Sequence, residues 1–178
     1  MKSKQVYLAT SSAELETLAE STAKQSGEAI ILVPVDFSEH SQAALIEASR
    51  FAKMMPATLV VLHVVHDPGE MPGYYSKLVK KKRATRMQDI AAEVFQEFMD
   101  STINANPNEE PLLQAERLMV IGLPVTRILE VVDHLDPIMV VMGSQGRTGL
   151  KHLVMGSKAA QIVQLCPVPV TIVKKPGS

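Results

Sequence analysis

The chain has 178 residues, of which 46% are hydrophobic and 21% charged, and its formal net charge is −1 at pH 7. This length and composition fit a single globular domain, and the charge balance argues against non-specific nucleic-acid binding and against attachment to a membrane by charge. One cysteine excludes an internal disulfide and a cysteine-rich metal cluster. No apolar run approaches the roughly 20 residues of a transmembrane helix or forms a secretory signal near the N-terminus, so we expect a cytoplasmic protein.

Five short apolar runs, separated by helix-length segments, predict the strands of one sheet. They are residues 29–37, 58–65, 116–122, 138–142 and 170–173. The first run is apolar on both faces, as a central parallel strand is, and the strand should end near Pro34 because proline cannot donate to a ladder. The alternation predicts an open, five-stranded parallel α/β sheet of Rossmann-like type, with helices on both faces. Residues 1–28 lie outside this pattern as an N-terminal extension, and residues 29–175 form the domain.

Helical spacing of apolar residues predicts the crossovers between these strands. Ser38 is a candidate N-cap for the first helix, and Pro124 suits the first position of a later one. A longer helix should span residues 76–102, and polar loops should span 67–75 and 104–111. The expected core stripe of the long helix comprises Met87, Ile90, Ala91, Val94 and Phe98.

Glycines and a hydroxyl are concentrated after the fourth predicted strand. In open α/β sheets ligands bind beyond the carboxyl ends of the strands, at the switch point of the strand order. Gly143 and Gly146 allow the backbone to approach a ligand closely, and Gly156 and Ser157 open the last helix, whose N–H groups favour an anion. Nearby cations are Arg147, Lys151 and Lys158. The spacing predicts a phosphate site, although glycines are common in any strand-to-helix loop, and it is neither a Walker A motif nor a dinucleotide fingerprint.

The pattern Gly143-x2-Gly146-x9-Gly156-Ser157 resembles the nucleotide-binding branch of the universal stress protein family. Further segments resemble the family's first strand and turn, second strand, third crossover and last strand, and the resemblance covers roughly residues 28–175. These segments are Ile31 to Ser38, Leu62 to Val64, Gly122 to Pro124 and Cys166 to Val170. The resemblance implies a sheet of the adenine nucleotide alpha hydrolase-like type, with its five strands in the order 3-2-1-4-5.

The resemblance also implies a ligand, ATP (or AMP or ADP), usually bound with Mg²⁺ or Mn²⁺. Pro34 and Val35 would line the adenine, and the Val64 backbone would bond the adenine edge. Asp36 would bind the ribose hydroxyls or lie beside the adenine. Gly143 would lie near the ribose and the α-phosphate, and Ser157 could also touch a metal. The positions expected around the phosphates are Ser144, Gly146, Arg147, Gly156, Ser157 and Lys158.

On these grounds we expect an ATP-binding sensor or regulator of a stress response, with a regulatory protein as partner. The last strand is an apolar edge, and in the family such strands pair about a two-fold axis, so Val168, Val170 and Ile172 are expected at a homodimer interface. No candidate base stands near the glycines, so no catalytic residue is assigned. Three alternatives stay open: a sensor of AMP or another adenine ligand, a slow ATPase, and a protein-interaction module that needs no nucleotide.

Other chemistry-bearing residues are expected to be structural. His63 alternates within an apolar strand and should be packed, while His66 and His152 belong to loops, and Cys166 should be a small core residue. The basic run Lys80 to Arg83, with Arg86, is expected to be a solvated helix face. The alternative for this run is a docking surface for an acidic partner.

Overall fold

The computed structural model describes residues 6–11, 13–17, 29–65, 76–146 and 155–175, with the backbone alone for residues 76–86. The strands are β1 (Val6–Ala9), β2 (Ala29–Val35), β3 (Ala57–Val65), β4 (Glu116–Ile121), β5 (Met139–Gly143) and β6 (Val170–Val173). The helices are α1 (Glu39–Met54), α2 (Ser76–Ala105), α3 (Glu110–Gln114), α4 (Pro124–Leu135) and α5 (Ser157–Leu165). In these ranges no helix combines the length and the apolar character needed to cross a bilayer.

The strands form one parallel sheet in the order β1-β4-β3-β2-β5-β6. The relative order predicted for β2 to β6 is confirmed, but the predicted count of five strands is wrong. The sixth strand, β1, comes from the N-terminal extension and pairs with β4 from Val6↔Arg117 to Ala9↔Val120. Four residues are too few for a clear alternation, and the hydrogen bonds that make them a strand come from the edge of β4, more than 100 positions away.

A capping box follows β1 directly. The Ser11 hydroxyl accepts a hydrogen bond from the Glu14 N–H at 3.3 Å, and a carboxylate oxygen of Glu14 accepts from the N–H groups of Thr10 and Ser11. These hydrogen bonds, with that of the Thr10 backbone first among them, lower the pKa of the Glu14 carboxyl. The helical residues 13–17 that follow place Leu15 in the core with 2% exposure.

The central strand β2 ends at Val35, one residue beyond Pro34, which confirms the prediction that it ends near Pro34. Its ladder with β3 extends to Val35↔His63, whereas its ladder with β5 ends at Leu32↔Val140. The Ile30 carbonyl accepts from β5, at the N–H of Ile138, so by alternation the backbone of Pro34 also faces β5. Proline has no N–H to continue that ladder. The missing donor therefore ends the pairing on the β5 side only.

The two faces of the sheet carry separate hydrophobic clusters. One cluster packs α4 and α5 against alternate residues of the strands, such as Leu32 and Leu62. The other packs α1, α2 and α3 against the intervening residues, such as Ile31 and Val61. This arrangement confirms helices on both faces, and continuous apolar strands are what a sheet buried on both sides requires.

The long helix α2 buries a different face from the one predicted. Phe95, Met99 and Thr102 are fully buried, whereas Met87, Ile90 and Val94 are 37%, 50% and 36% exposed. Phe98 is half-buried against the second cluster. Two apolar rows run along this helix, and contact with the sheet selects the row that contains Phe95 and Met99. The predicted loop 104–111 is also shorter than expected, because α2 extends to Ala105 and α3 begins at Glu110.

Arg117 is a buried charge that no sequence pattern singles out. Its side chain is 2% exposed in β4, one guanidinium nitrogen donates to the Gln96 side chain of α2, and another lies 4.0 Å from Asp100. Burial lowers the pKa of the Arg117 guanidinium, while the Asp100 carboxylate acts in the opposite direction. The Arg117 side chain therefore links β4 to α2 through polar contacts within an otherwise apolar interface.

Gly143, the last residue of β5, allows α1 to approach the sheet, and this contact predicts the effect of a substitution. A Cβ at Gly143 would lie 2.7 Å from the backbone carbonyl carbon of His40. We expect Gly143→Ala to lower the free energy of unfolding by about 1–3 kcal/mol through this overlap, measured by urea denaturation. The matched control is Gly156→Ala, whose Cβ would be 3.5 Å from its nearest neighbour and whose cost should stay below about 1 kcal/mol. Equal losses in the two variants would contradict the packing role.

Candidate functional site

The crevice lies between the carboxyl ends of β2 and β5. The chain leaves β2 for α1 on one face of the sheet and leaves β5 for α5 on the opposite face. Neighbouring strands with crossovers in opposite directions define the switch point at which open α/β sheets bind ligands. Here the two strands are also unpaired beyond Leu32↔Val140, which widens the crevice at its floor.

Asp36 follows β2 in a turn that fixes its carboxylate. One oxygen, Oδ1, accepts hydrogen bonds from the Ser38 hydroxyl at 2.6 Å and from the Ser38 N–H at 3.2 Å. Ser38 in turn caps α1, because its hydroxyl accepts from the N–H of Ser41. Phe37, between them, has a φ of 63°, which is uncommon for a residue with a side chain. Its ring stacks on His63 with centroids 4.1 Å apart, and this contact holds the turn in place.

The second oxygen of Asp36 faces the glycine-rich loop after β5. A Cβ built on Gly146 would lie 2.6 Å from Asp36 Oδ2, closer than real Cβ contacts allow. The loop backbone therefore passes directly over the carboxylate, and only glycine permits that approach. The sequence placed Asp36 and Gly146 in one site, and the structure brings them into contact across 110 residues.

Ser144 is the buried polar residue of this loop, with 3% exposure. Its N–H donates to the Val173 carbonyl at the end of β6, and its hydroxyl lies 3.5 Å from His40 Nδ1 in the first turn of α1. His40 was not identified from the sequence, since nothing local relates it to a serine 104 positions away. Its only signal is its position two residues after the Ser38 cap, which puts it at the same edge of the sheet.

The start of α5 is attached to the same loop. The Gly156 N–H donates to the Ser144 carbonyl at 2.8 Å, and Gly156 occupies the N-cap position, where it has no side chain to cap the helix. The first N–H groups of a helix have no acceptor within it, and together with the helix dipole they favour an anion. The side chains of Ser157 and Lys158 are exposed and line a groove of about 900 Å³ between α4 and α5.

The other side of the crevice is apolar. Pro34 and Val35 are buried at the tip of β2, and Val64 is half-buried in β3. The last pair of this ladder is Val35↔His63, so the next residues on the two strands are Asp36 and Val64. The apolar tip of β2 therefore lies next to the Asp36 carboxylate. A ligand with a flat ring joined to a hydroxyl-bearing group could place the ring on the strand tip and the hydroxyls on the carboxylate.

The remaining candidate residues divide into packed and undescribed positions. His63 is half-buried, with Nδ1 2.9 Å from the Val35 carbonyl oxygen, and Cys166 packs half-buried against the first cluster. Within the described ranges, no group of three or more His, Cys, Asp or Glu side chains could hold a metal ion. Four candidates lie outside the described residues: His66, Arg147, Lys151 and His152.

An ion pair connects the segment after β6 to the rim of the crevice. The Lys175 ammonium hydrogen-bonds the Glu39 carboxylate at the start of α1. This hydrogen bond, aided by the charge of Lys175, lowers the pKa of the Glu39 carboxyl. Both groups are solvent-exposed, so the pair contributes little to stability, but it places charge of both signs beside the site.

Comparison with known proteins identifies relatives over nearly the whole domain. Residues 29–174 match the model of the universal stress protein family. Universal stress protein YxiE of Bacillus subtilis is 31% identical over 145 residues, which is 81% of this chain and 97% of the relative. Universal stress protein MJ0577 of Methanocaldococcus jannaschii is 25% identical over 156 residues, covering 83% of this chain and 96% of the relative.

Solved structures share the fold at lower identity. Universal stress protein UspA from Lactobacillus plantarum superposes with a TM-score of 0.68 at 22% identity, covering 82% of this chain and 97% of that one. Two further structures are complexes with nucleotides. A universal stress protein with cAMP has a TM-score of 0.55 at 19% identity, and one from Archaeoglobus fulgidus with dAMP has 0.50 at 18%. They cover 83% of this chain and 98% of theirs. The family match and the YxiE relationship show that this chain belongs to the universal stress protein family.

Proposed function

We propose that the protein binds an adenine nucleotide, with ATP as the principal ligand, in the crevice between β2 and β5. The observation that carries the proposal is the contact between Asp36 and the Gly146 backbone. It joins a carboxylate, which suits the ribose hydroxyls, to a loop that has no Cβ where a ligand would approach. The cAMP and dAMP complexes of two structural relatives support an adenine ligand.

Different residues would contact the adenine, the ribose and the phosphates of the nucleotide. Pro34 and Val35 would contact the adenine face, and the Val64 backbone would bond its edge. Asp36 would hold the ribose through the oxygen that faces Gly146. The phosphates would lie on the backbone N–H groups at the start of α5 and on the loop, where they would contact Gly143, Ser144, Gly146, Gly156, Ser157, Lys158 and also Arg147.

A divalent cation would be held mainly by the phosphates. The Ser157 hydroxyl at the start of α5 is a protein oxygen that would suit Mg²⁺ or Mn²⁺, since such ions commonly bind through one or two protein ligands plus substrate phosphates. Bound to the phosphates, such an ion would neutralise part of their charge. Binding of the ligand between Asp36 and the start of α5 is the step through which the protein would act as a cytoplasmic stress-response regulator of a partner.

A monophosphate is the second candidate ligand. The cAMP and dAMP of the two complexes described above each carry a single phosphate group. Asp36 and the strand tips would recognise the adenosine portion whatever the number of phosphates. Titration with ATP, ADP and AMP, each with and without Mg²⁺, separates the two candidates, and denaturing the purified protein for mass spectrometry identifies any nucleotide that it retains.

The start of α5 provides a test of phosphate binding that keeps the helix capped. Aspartate and asparagine are both preferred N-caps and have the same shape, so Gly156→Asp and Gly156→Asn should both fold. We expect Gly156→Asp to weaken ATP binding at least tenfold more than Gly156→Asn does, about 1.4 kcal/mol of charge repulsion, measured by calorimetry. Adenosine binding should be the same in the two variants.

Two outcomes would contradict the phosphate assignment. Equal ATP affinities for the Asp and Asn variants would show that no phosphate approaches this helix start. The absence of binding of any adenine nucleotide to the wild-type protein would remove the proposal altogether. Melting curves of both variants confirm that a loss of binding is not a loss of folding.

Asp36 provides an independent test of ribose binding. Asp36→Asn keeps an oxygen that can accept from Ser38, so α1 should remain capped. We expect this variant to lose about tenfold or more in ATP affinity, the value of a hydrogen bond to a charged group, and to stop distinguishing ATP from 2′,3′-dideoxy-ATP. The control is Glu39→Gln, the same carboxylate-to-amide change at an exposed side chain that pairs with Lys175, which should cost little stability and leave this discrimination intact. Discrimination that survives in Asp36→Asn would place the ribose elsewhere.

We also propose that the edge strand β6 forms a homodimer. Val170 and Ile172 are half-buried in a strand whose pairing in the sheet is with β5 alone, and half-buried Val168 precedes it. An apolar edge of this kind favours pairing with a second copy. The double variant Val170→Lys/Ile172→Lys should dissociate that interface, measured by sedimentation velocity. Unchanged association of the double variant at every concentration would rule out the strand edge.

A further inference from the structure

Helix α2 carries a row of large apolar side chains that are exposed in the part of the chain that the structure describes. Met87, Ile90 and Val94 are 37%, 50% and 36% exposed, although the same helix fully buries Phe95 and Met99. Isolated exposed apolar residues are ordinary, but three at successive turns form a continuous strip. Proteins use such strips for contact with another chain.

The strip belongs to a longer row with a regular spacing. Lys80, Arg83, Met87, Ile90, Val94 and Glu97 are separated by three, four, three, four and three residues. All six lie within α2, so they share one face of the helix. We refer to these six residues as the α2 row. A spacing of alternating three and four residues is the seam of a two-stranded coiled coil, and here its centre is apolar and its ends are charged.

The charges of α2 are divided between its two halves. Residues 76–87 contain six basic residues and no acidic one, whereas residues 88–105 contain four acidic residues and no basic one. Positive charge near a helix N-terminus and negative charge near its C-terminus both oppose the helix dipole. The first turn of α2 has no acidic residue and the last turn no basic one. An isolated α2 therefore has an unfavourable charge arrangement.

We propose that α2 is a self-association surface, in which two copies pair their α2 rows in antiparallel orientation. An antiparallel pair places the basic half of each helix beside the acidic half of the other, which compensates both dipoles. The spacing selects one register. Met87 lies opposite the partner subunit's Ile90, and Lys80 lies opposite the partner subunit's Glu97. The contact is isologous, so each of these pairs occurs twice.

A second copy of the chain is the molecule that covers the α2 row, because the charges that complement each half of α2 are those of its other half. An acidic partner would match the basic half but would repel the acidic half, which includes the exposed Glu93 and Glu97. An anionic membrane surface has the same difficulty. Only a strip with the reverse charge order fits both halves, and an antiparallel copy of α2 supplies it. The proposal does not depend on nucleotide binding.

The first experiment measures association of the full chain with and without a charge at the centre of the row. Ile90→Lys introduces an ammonium group at a half-exposed position, so the fold should tolerate it, as melting curves can verify. In a pair of helices the two ammonium groups would be desolvated near the two-fold axis. We expect the dissociation constant from sedimentation velocity to rise at least about tenfold. The same comparison in the Val170→Lys/Ile172→Lys background removes any contribution from β6.

The second experiment exchanges charges between positions of the α2 row. Lys80→Glu and Glu97→Lys should each weaken association, because each places like charges opposite one another, whereas the double variant restores both pairs. The two positions are 17 residues apart, about 26 Å along one helix, so they do not interact within a copy. Recovery in the double variant therefore reports contact between copies. Asp89→Lys, with the same charge change as Glu97→Lys at an exposed site outside the row, is the control and should associate like the wild type.

Three results would overturn the proposal. One is monomeric behaviour of the β6 double variant at all concentrations while its melting curve shows that it is folded. Another is the failure of Ile90→Lys to change association in either background. The third is a double charge-exchange variant that associates no better than the single variants. Association that appears only with added anionic vesicles or an acidic polypeptide would assign the α2 row to a different occupant and would equally reject self-pairing.

Discussion

The crevice exists because the hydrogen-bond ladder between β2 and β5 ends before the two strands themselves end. Pro34 has no N–H to offer β5, and the two strands are unpaired beyond Leu32↔Val140 while each remains paired on its other side. Because their crossovers leave on opposite faces, no helix of the described ranges covers this gap at the carboxyl edge. The turn at Asp36, the loop after β5 and the start of α5 all converge there.

The glycines of the family motif have distinct physical roles. Gly143 makes room for the backbone of α1, Gly146 lets the loop cross the Asp36 carboxylate, and Gly156 connects the loop to the start of α5. The first two are required by contacts of the protein with itself, since a Cβ there would collide with backbone or carboxylate atoms. A glycine motif commonly interpreted as a phosphate cradle is therefore also a packing motif, and substitutions in it need stability controls.

Helix α2 shows how burial of one face creates a surface on another. The sheet accepts the row that contains Phe95 and Met99, and the Arg117 guanidinium fixes that choice through Gln96. The second apolar row then points away from the core. Its charges are ordered in a way that opposes the helix dipole within one copy and fits an antiparallel second copy. Together with pairing at β6, this would give each copy two separate self-association surfaces.

Local patterns in the sequence predicted the five strands from β2 to β6, the longer helices between them and the edge at which a site would form, but not the short helix α3. They succeeded because continuous apolar strands, caps such as Ser38 and glycine spacing are short-range signals. The structure also shows a capping box of Ser11 and Glu14 in the extension, which the sequence analysis did not identify. The order of β2 to β6 came from the family resemblance, and the sheet confirms it.

Only the tertiary structure decided the features that join distant residues. The pairing of β1 with β4 and the contact of Ser144 with His40 join residues more than 100 positions apart, and the buried face of α2 packs on residues such as Phe37, 58 positions from Phe95. The four residues of β1 form a strand only because β4 supplies their hydrogen-bond partners. The sequence of α2 contains two apolar rows and does not by itself determine which row is buried. Those choices are made by the free energy of packing the whole chain, which no local pattern contains.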